Sequence, residues 1–435
     1  MKVEVVTIGD ELLLGFTVDT NAAHLARELA AIGIEIVRRS TVGDSAEDIA
    51  SAVRDALERS DGVVTTGGLG PTSDDMTKPS IAALFGREMV RDELVVQWLR
   101  DRWAGMRRKG PIPDSNFTQA MIPEGAVIIP NGHGSAPGIW LEDERGRWVA
   151  MLPGVPREMQ AMVSEQLVPR LSARLSAGGA GGAGGASTAE SAGASGSLPV
   201  IMSRTLRTTG IAESALADTL GDLGRSIDGL SPAFLPGVGG VDIRLTSRGA
   251  AETEAVARLD HAMAKLREAI GRYVYGEGAT DLASVVLDLC RAHGVRLAVA
   301  ESCTGGLLGA RITAVPGSSD VFVGGVQAYE NSAKIALLGV DPAQIIAHGA
   351  VSEEVAIAMA RGVRIRLGTD VSISITGIAG PAGGTPDKPV GTVWIALDGP
   401  KPDTLGVRLF GDRTEIRERA AQAALDLLRR QLQSS

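Results

Sequence analysis

The sequence predicts an α/β protein, with two α/β domains joined by a small α+β domain. Three observations predict it. Short apolar runs ending in glycine alternate with stretches of helical period, before residue 174 and again after residue 279. A tract without Leu, Ile, Val or any aromatic interrupts the chain between them. The 435 residues allow roughly three folded units at about 150 residues each.

The first region, 1–174, opens on the apolar run 3–8, which ends at Gly9. Residues 21–32 carry Leu25, Leu29 and Ile32 at i, i+4 and i+7, the spacing of one helix face. Residues 34–38 read as a second strand, 46–59 as a second helix, and 61–66 as a third strand running into Gly67-Gly68. Strands and helices alternating on this spacing predict βαβ units and a parallel sheet. The segment 175–197, with its AGGAGGAGGAS repeat, cannot bury a core and reads as a flexible insert. Residues 198–278 form the small α+β domain: strands at 200–206 and 241–246, then a helix at 252–270. The last domain, 279–435, alternates again. Helices are expected at 282–293, 305–312, 353–367 and 414–432, and strands at 296–300, 322–329, 371–375 and 391–397.

Composition narrows the function. With 44% apolar and 22% charged residues, chain-wide disorder is excluded. The net charge of −9 and the lack of any Lys/Arg run argue against a nucleic-acid platform. A small anionic ligand can still be held by local backbone amides. Two cysteines, Cys290 and Cys303, and five histidines are too few for a disulfide framework or a zinc cluster. Asp10 and Glu11 arrive before any signal-peptide core, and no apolar run reaches the ~18 residues of a membrane helix. A soluble, cytoplasmic protein with no membrane partner is expected.

Candidate chemistry in the last domain centres on Ala300-Glu301-Ser302-Cys303-Thr304-Gly305-Gly306, a strand running into a helix N-terminus. Ser302 at such a corner is either an N-cap or a nucleophile beside N–H groups that could hold an oxyanion. The run 327–334 then supplies Tyr329 and Lys334. A serine hydroxyl needs a base, and with no His in these motifs a desolvated Lys can serve. Tyr329 would relay a proton or orient the lysine. Residues 374–391 form a Gly/Pro loop suited to close approach around a ligand, and Arg413 offers a guanidinium before the last helix. Cys303 is a rival nucleophile, weakened by the absence of an activating His.

In the first domain, Gly67-Gly68-Leu69-Gly70-Pro71-Thr72 follows a strand and precedes Asp74 and Asp75. Such a loop offers N–H groups to phosphate, and either Asp could hold a divalent cation; it equally suits a tight turn capped by Asp. His133 has no second His at metal spacing.

The motifs ESCTGG, YENSAK, AVSEEVA, GIAGPAGGTPDKPVGT and GDR, in that order, resemble the C-terminal domain of the CinA family. GDELLLG, Asn21, GGLGPTSDDMT, NGHGSAPG and LPGVPREM look like the molybdopterin-binding-like domain that forms the N-terminal half of that family. SRTLR and GIAES, from residue 203, match its linking segment, whereas 177–197 is longer and more Gly-rich than the family's usual connection. The resemblance implies a bifunctional pyridine-nucleotide hydrolase. The C-terminal domain would convert nicotinamide mononucleotide to nicotinic acid mononucleotide and ammonia, with Ser302 as nucleophile, Lys334 as base, Tyr329 assisting, and no cofactor. Substrate would be bound by Thr304, Gly305, Gly306, Ser318, Ser319, Thr376, Gly380 and Arg413. The N-terminal domain would hydrolyse ADP-ribose or NAD-type pyrophosphates with a divalent metal of the Mg, Mn or Co type. Its phosphate and metal site would comprise Gly67, Gly68, Gly70, Thr72, Asp74, Asp75, Glu11 and Asn21, with Asp75 first choice for the metal. The implied assembly is a homodimer. The alternatives are a pterin-binding protein of molybdenum-cofactor metabolism and a non-catalytic competence-associated protein.

Overall fold

A computed structural model of the chain describes residues 1–72, 75–105, 111–179 and 200–434. Asp74 and most of the Gly-rich insert lie outside them. The chain divides into two compact units: residues 1–202 with 247–256, and residues 203–246 with 257–435.

In the first unit, one sheet has the strand order Glu35–Val42, Lys2–Ile8, Gly62–Thr66, Trp148–Leu152, Gly138–Glu142, Val127–Ile129. The first four strands are parallel. Alternate side chains feed two cores, as the pleat requires. Val3, Val5 and Val64 pack with Leu25 and Leu29 of the helix Thr20–Ala31. Val6, Ile8 and Val63 pack with Ile49 and Val53 of the helix Ala46–Arg59. The expectation of a purely parallel sheet needs correction, because the last two strands run antiparallel. They are joined by short turns rather than helical crossovers, and a short connection can only reverse the chain. The helix Val168–Gly179 also continues past the expected boundary at residue 174.

The second unit holds one sheet whole and most of a smaller one. The smaller has the order Ala233–Gly237, Gly240–Ala250, Val200–Thr208, Val274–Glu277, with the helix Glu252–Ile270 between its last two elements in sequence. The larger has the order Phe322–Gln327, Leu297–Glu301, Val371–Gly377, Thr392–Asp398, Asp403–Arg408. Its first three strands are parallel and the last two antiparallel, so this sheet too is mixed. Leu297 and Val299 face a core with Leu425 and Leu428 of the helix Arg413–Gln433. Ala298 and Ala300 face Val355, Met359 and Val363 of the helix Glu353–Leu367. The strand Asp403–Arg408 and the helices Asn331–Leu338 and Pro342–His348 have no counterpart among the elements expected from sequence. Among the described residues, no helix is long and apolar enough to cross a membrane.

Candidate functional site

Parallel strands bring their carboxyl ends to one edge of a sheet, where the following loops converge. Ser302 follows the strand Leu297–Glu301, Ala328 and Tyr329 follow Phe322–Gln327, and Ile378 follows Val371–Gly377. From the next helix, Lys334 returns its side chain into this corner and is only 1% exposed. Its Nζ lies 3.1 Å from Ser302 Oγ and 3.0 Å from each of the carbonyl oxygens of Ala328 and Tyr329. Two carbonyls accept the two N–H bonds of a neutral amine, which leaves its lone pair for the Ser302 hydroxyl proton. Burial lowers the Lys334 pKa from its ordinary value, in the direction of that neutral form.

The amides from Gly305 to Gly309 are committed within the chain. Glu301, 2% exposed, accepts from the N–H groups of Gly306 (3.0 Å), Leu308 (3.0 Å) and Gly309 (2.8 Å). The Gly305 N–H donates to the Ser302 carbonyl at 3.0 Å. An internal carboxylate therefore occupies the helix N-terminus that sequence reasoning reserved for an oxyanion or phosphate, and Gly305 and Gly306 serve to shape the turn. Glu301 stood in the motif without a role. A carboxylate four residues before a Gly-Gly helix start was the available signal.

A cavity of about 240 Å³ opens beside Ser302, lined among others by Cys303, Lys334, Thr376, Gly380 and Arg413. Tyr329 also lines it, but its ring is 61% exposed and its phenol accepts from Arg413 Nη2 at 2.9 Å. The lysine is thus oriented by the Tyr329 carbonyl, not by the phenol. Arg413 Nη1 donates to the Gly380 carbonyl at 2.6 Å. Thr376 Oγ1 donates to the Ala350 carbonyl at 2.8 Å, so it holds a wall of the cavity. The Thr304 carbonyl accepts from Arg417, and Thr304 does not line the cavity. Ser318 and Ser319 are not brought to the cavity either. They precede Phe322, which pairs with Leu297 at the amino end of the strands, while Ser302 lies at the carboxyl end. The sheet itself separates them within one chain. Burial pushes the Cys303 thiol up to about 11, which removes the thiolate a rival nucleophile would need.

The first unit repeats the placement. Gly9, Gly67 and Gly154 follow three parallel strands and line a cavity of about 570 Å³, with Glu11, Asn21, Gly68, Gly70 and Asp75. Gly67 has φ +112°, and a Cβ there would strike the Ile8 carbonyl, so only glycine fits. Thr72 is not part of this lining. Asp75 turns out to close the loop: its carboxylate accepts from Gly70 N (2.7 Å), Thr72 N (2.8 Å) and Thr72 Oγ1 (2.5 Å). Asn21 Nδ2 bonds Thr66 Oγ1 at 3.0 Å and the Gly154 carbonyl at 2.7 Å. Among the described residues no three His, Cys, Asp or Glu side chains come together as metal ligands. Among the described residues, which leave out Asp74, no metal cage is built around Asp75. Glu11, Asp19, Asp44, Asp75 and Glu158 line this cavity, and no Lys or Arg does among the described residues. The Ser302 cavity is the reverse, with Lys334 and Arg413 in its lining and, among the described residues, no Asp or Glu.

Family models and known proteins match the chain as follows. The family model described as the CinA C-terminal domain matches residues 279–432. The one described as "Probable molybdopterin binding domain" matches 4–173, and the damage-inducible protein CinA KH domain matches 203–276. A CinA-like protein of Gemmatimonas aurantiaca is 58% identical, over 99% of this chain and 96% of that one. A CinA-like protein of Salinibacter ruber is 44% identical, over 99% of this chain and all of that one. A crystal structure described as the protein CinA with unknown function, from Thermoplasma acidophilum, is 36% identical with a TM-score of 0.36; the match covers 38% of this chain and 97% of that one.

Proposed function

The chain belongs to the CinA family, and from that premise we propose that its Ser302 cavity hydrolyses the carboxamide of a nicotinamide nucleotide, releasing ammonia. The observation that carries the reading is the buried lysine whose two N–H bonds have carbonyl partners and whose third direction is the Ser302 hydroxyl.

The chemistry follows from that arrangement. Lys334 takes the Ser302 proton as Oγ attacks the amide carbon, and the resulting ammonium is held by the Ala328 and Tyr329 carbonyls. The tetrahedral intermediate collapses with the C–N bond breaking, and Lys334 returns the proton to the departing nitrogen, which leaves as ammonia. Water then attacks the acyl-Ser302 ester with the same lysine as base, giving the carboxylic acid nucleotide and restoring the serine. Arg413 uses only part of its guanidinium on Gly380 and Tyr329, so it retains donors for a phosphate at the mouth. A lining without carboxylates does not repel that phosphate. The test is release of ammonia and nicotinic acid mononucleotide from nicotinamide mononucleotide by the full chain. Turnover by wild type and none by Ser302→Ala supports the reading, and no wild-type turnover refutes it.

For the first unit we propose a nucleotide pyrophosphate of the ADP-ribose or NAD type, held by the glycine turn Gly67–Gly70. The acidic lining makes an anion costly there unless it arrives as its divalent-cation complex. Such a ligand would couple the two units in sequence, because cleavage of NAD yields the mononucleotide that the second deamidates.

A further inference from the structure

We propose that Lys388 is a positioning residue that sets the width of the Ser302 cavity's mouth. Two chain segments face each other there: Ala350 and Val351 on one side, Ala382 and Gly383 on the other. The second belongs to an arch whose residues 381–387 are all exposed. The arch is tied down at its ends, by Arg413 on the Gly380 carbonyl (2.6 Å) and by Gly391 N on the Ile378 carbonyl (2.8 Å).

Between these ends one side chain crosses to the opposite wall. Lys388 Nζ donates to the carbonyls of His348 (2.5 Å) and Val351 (2.7 Å). His348 closes the helix Pro342–His348, so its carbonyl lacks a partner within the helix and carries the negative end of the peptide dipoles. The lysine is presented by a closed turn: Thr385 N donates to the Lys388 carbonyl (2.9 Å), and Lys388 N donates to Thr385 Oγ1 (3.0 Å). Thr376 ties the intervening Ala350 carbonyl to the strand end beside Ser302. Three successive anchors thus hold residues 348–351, and Lys388 supplies two of them. Without it the arch and this wall would share no hydrogen bond across the mouth, and a substrate would have to order both on binding.

The kinetic part of the inference rests on the amidase reading, and the structural part does not. The full-length wild type, Lys388→Met and Lys388→Arg would be compared by amide hydrogen exchange and by ammonia release from nicotinamide mononucleotide. In Lys388→Met, exchange rises in residues 348–352 and 381–387 while the helix Arg413–Gln433 keeps its protection. KM rises about tenfold with kcat within about twofold, as expected when binding order is lost but the reacting groups stay in place. Lys388→Arg, which keeps the charge and the donors, recovers most of both. Unchanged exchange in Lys388→Met overturns the strap, whatever the kinetics. Raised exchange with an unchanged KM, or a loss confined to kcat, overturns its role in positioning substrate. A wild type that releases no ammonia refutes the amidase reading, and the exchange comparison then decides the strap alone.

Discussion

Among the described residues, each unit buries one lysine on a pair of consecutive carbonyls. Lys78, 4% exposed, donates to the carbonyls of Thr118 (2.9 Å) and Gln119 (3.2 Å). Lys334 does the same with Ala328 and Tyr329. Burial depresses both: Lys78 is lowered to about 8, against the opposing pull of the Asp75 charge, and Lys334 is lowered as well. What separates them is the third neighbour. Lys334 meets a hydroxyl that can give up a proton, whereas Lys78 stands near a carboxylate and ties the helix Thr77–Leu84 to the segment Asp114–Ala120. A desolvated lysine is thus not a base by virtue of burial alone; the partner in its third direction decides.

Substitutions can break or sharpen this contrast. The largest effect is expected from Ser302→Ala, which should lower ammonia release from nicotinamide mononucleotide by at least about 10³-fold. Cys303→Ala should stay within about twofold of wild type, and an equal loss in both would remove Ser302 from its role. Lys334→Met should cost on the order of 10²–10⁴-fold, the range of a general base. Wild-type turnover should rise with pH through the lysine's lowered pKa, since only the neutral amine accepts the proton, and the residual activity of Lys334→Met should lack that rise. A pH profile shared by both proteins would assign the titration to another group.

Chelation separates the units in a different way. EDTA should abolish hydrolysis of ADP-ribose by the acid-lined pocket and leave ammonia release untouched. Loss of both activities would mean that the second site also depends on a metal.

The smallest effect belongs to Lys78→Met. It should leave ammonia release unchanged and destabilise the first unit by about 1–3 kcal/mol, because the carbonyls of Thr118 and buried Gln119 lose their donor. The sign of its pH dependence is fixed by linkage. With a folded pKa near 8, below the ordinary 10.5, the folded state holds this proton less tightly than the unfolded chain. Its contribution is complete above 10.5 and is lost as pH falls to 8. The stability difference between wild type and variant, followed by denaturant titration, should therefore widen with rising pH across that window. A difference that does not change with pH would place Lys78 in solvent.

Much of the site was legible before any fold. Ser302 stands at a glycine-rich strand end and Lys334 in the YENSAK run that follows another strand, and the structure brings them within hydrogen-bond distance. Three readings were not legible. Gly305 and Gly306 looked like anion donors until Glu301 was seen to take the helix N-terminus. Asp75 looked like a metal ligand, but its two oxygens close their own loop. Ser318 and Ser319 sit in a motif beside the others, yet the strand Phe322–Gln327 carries them to the far end of the sheet. In each case residue type was read correctly and the partner was not.

The sequence by itself determined the α/β class, the order of the domains and the position of the glycine-rich corners. Periodicity, glycine punctuation and strand ends are local properties, set by each residue's own backbone preferences and near neighbours. Only the tertiary structure decided which polar groups remain available for chemistry. Hydrogen-bond capacity is finite, and its allocation joins residues far apart in the chain: Lys334 to Ser302, Asn21 to Gly154, Lys388 to His348.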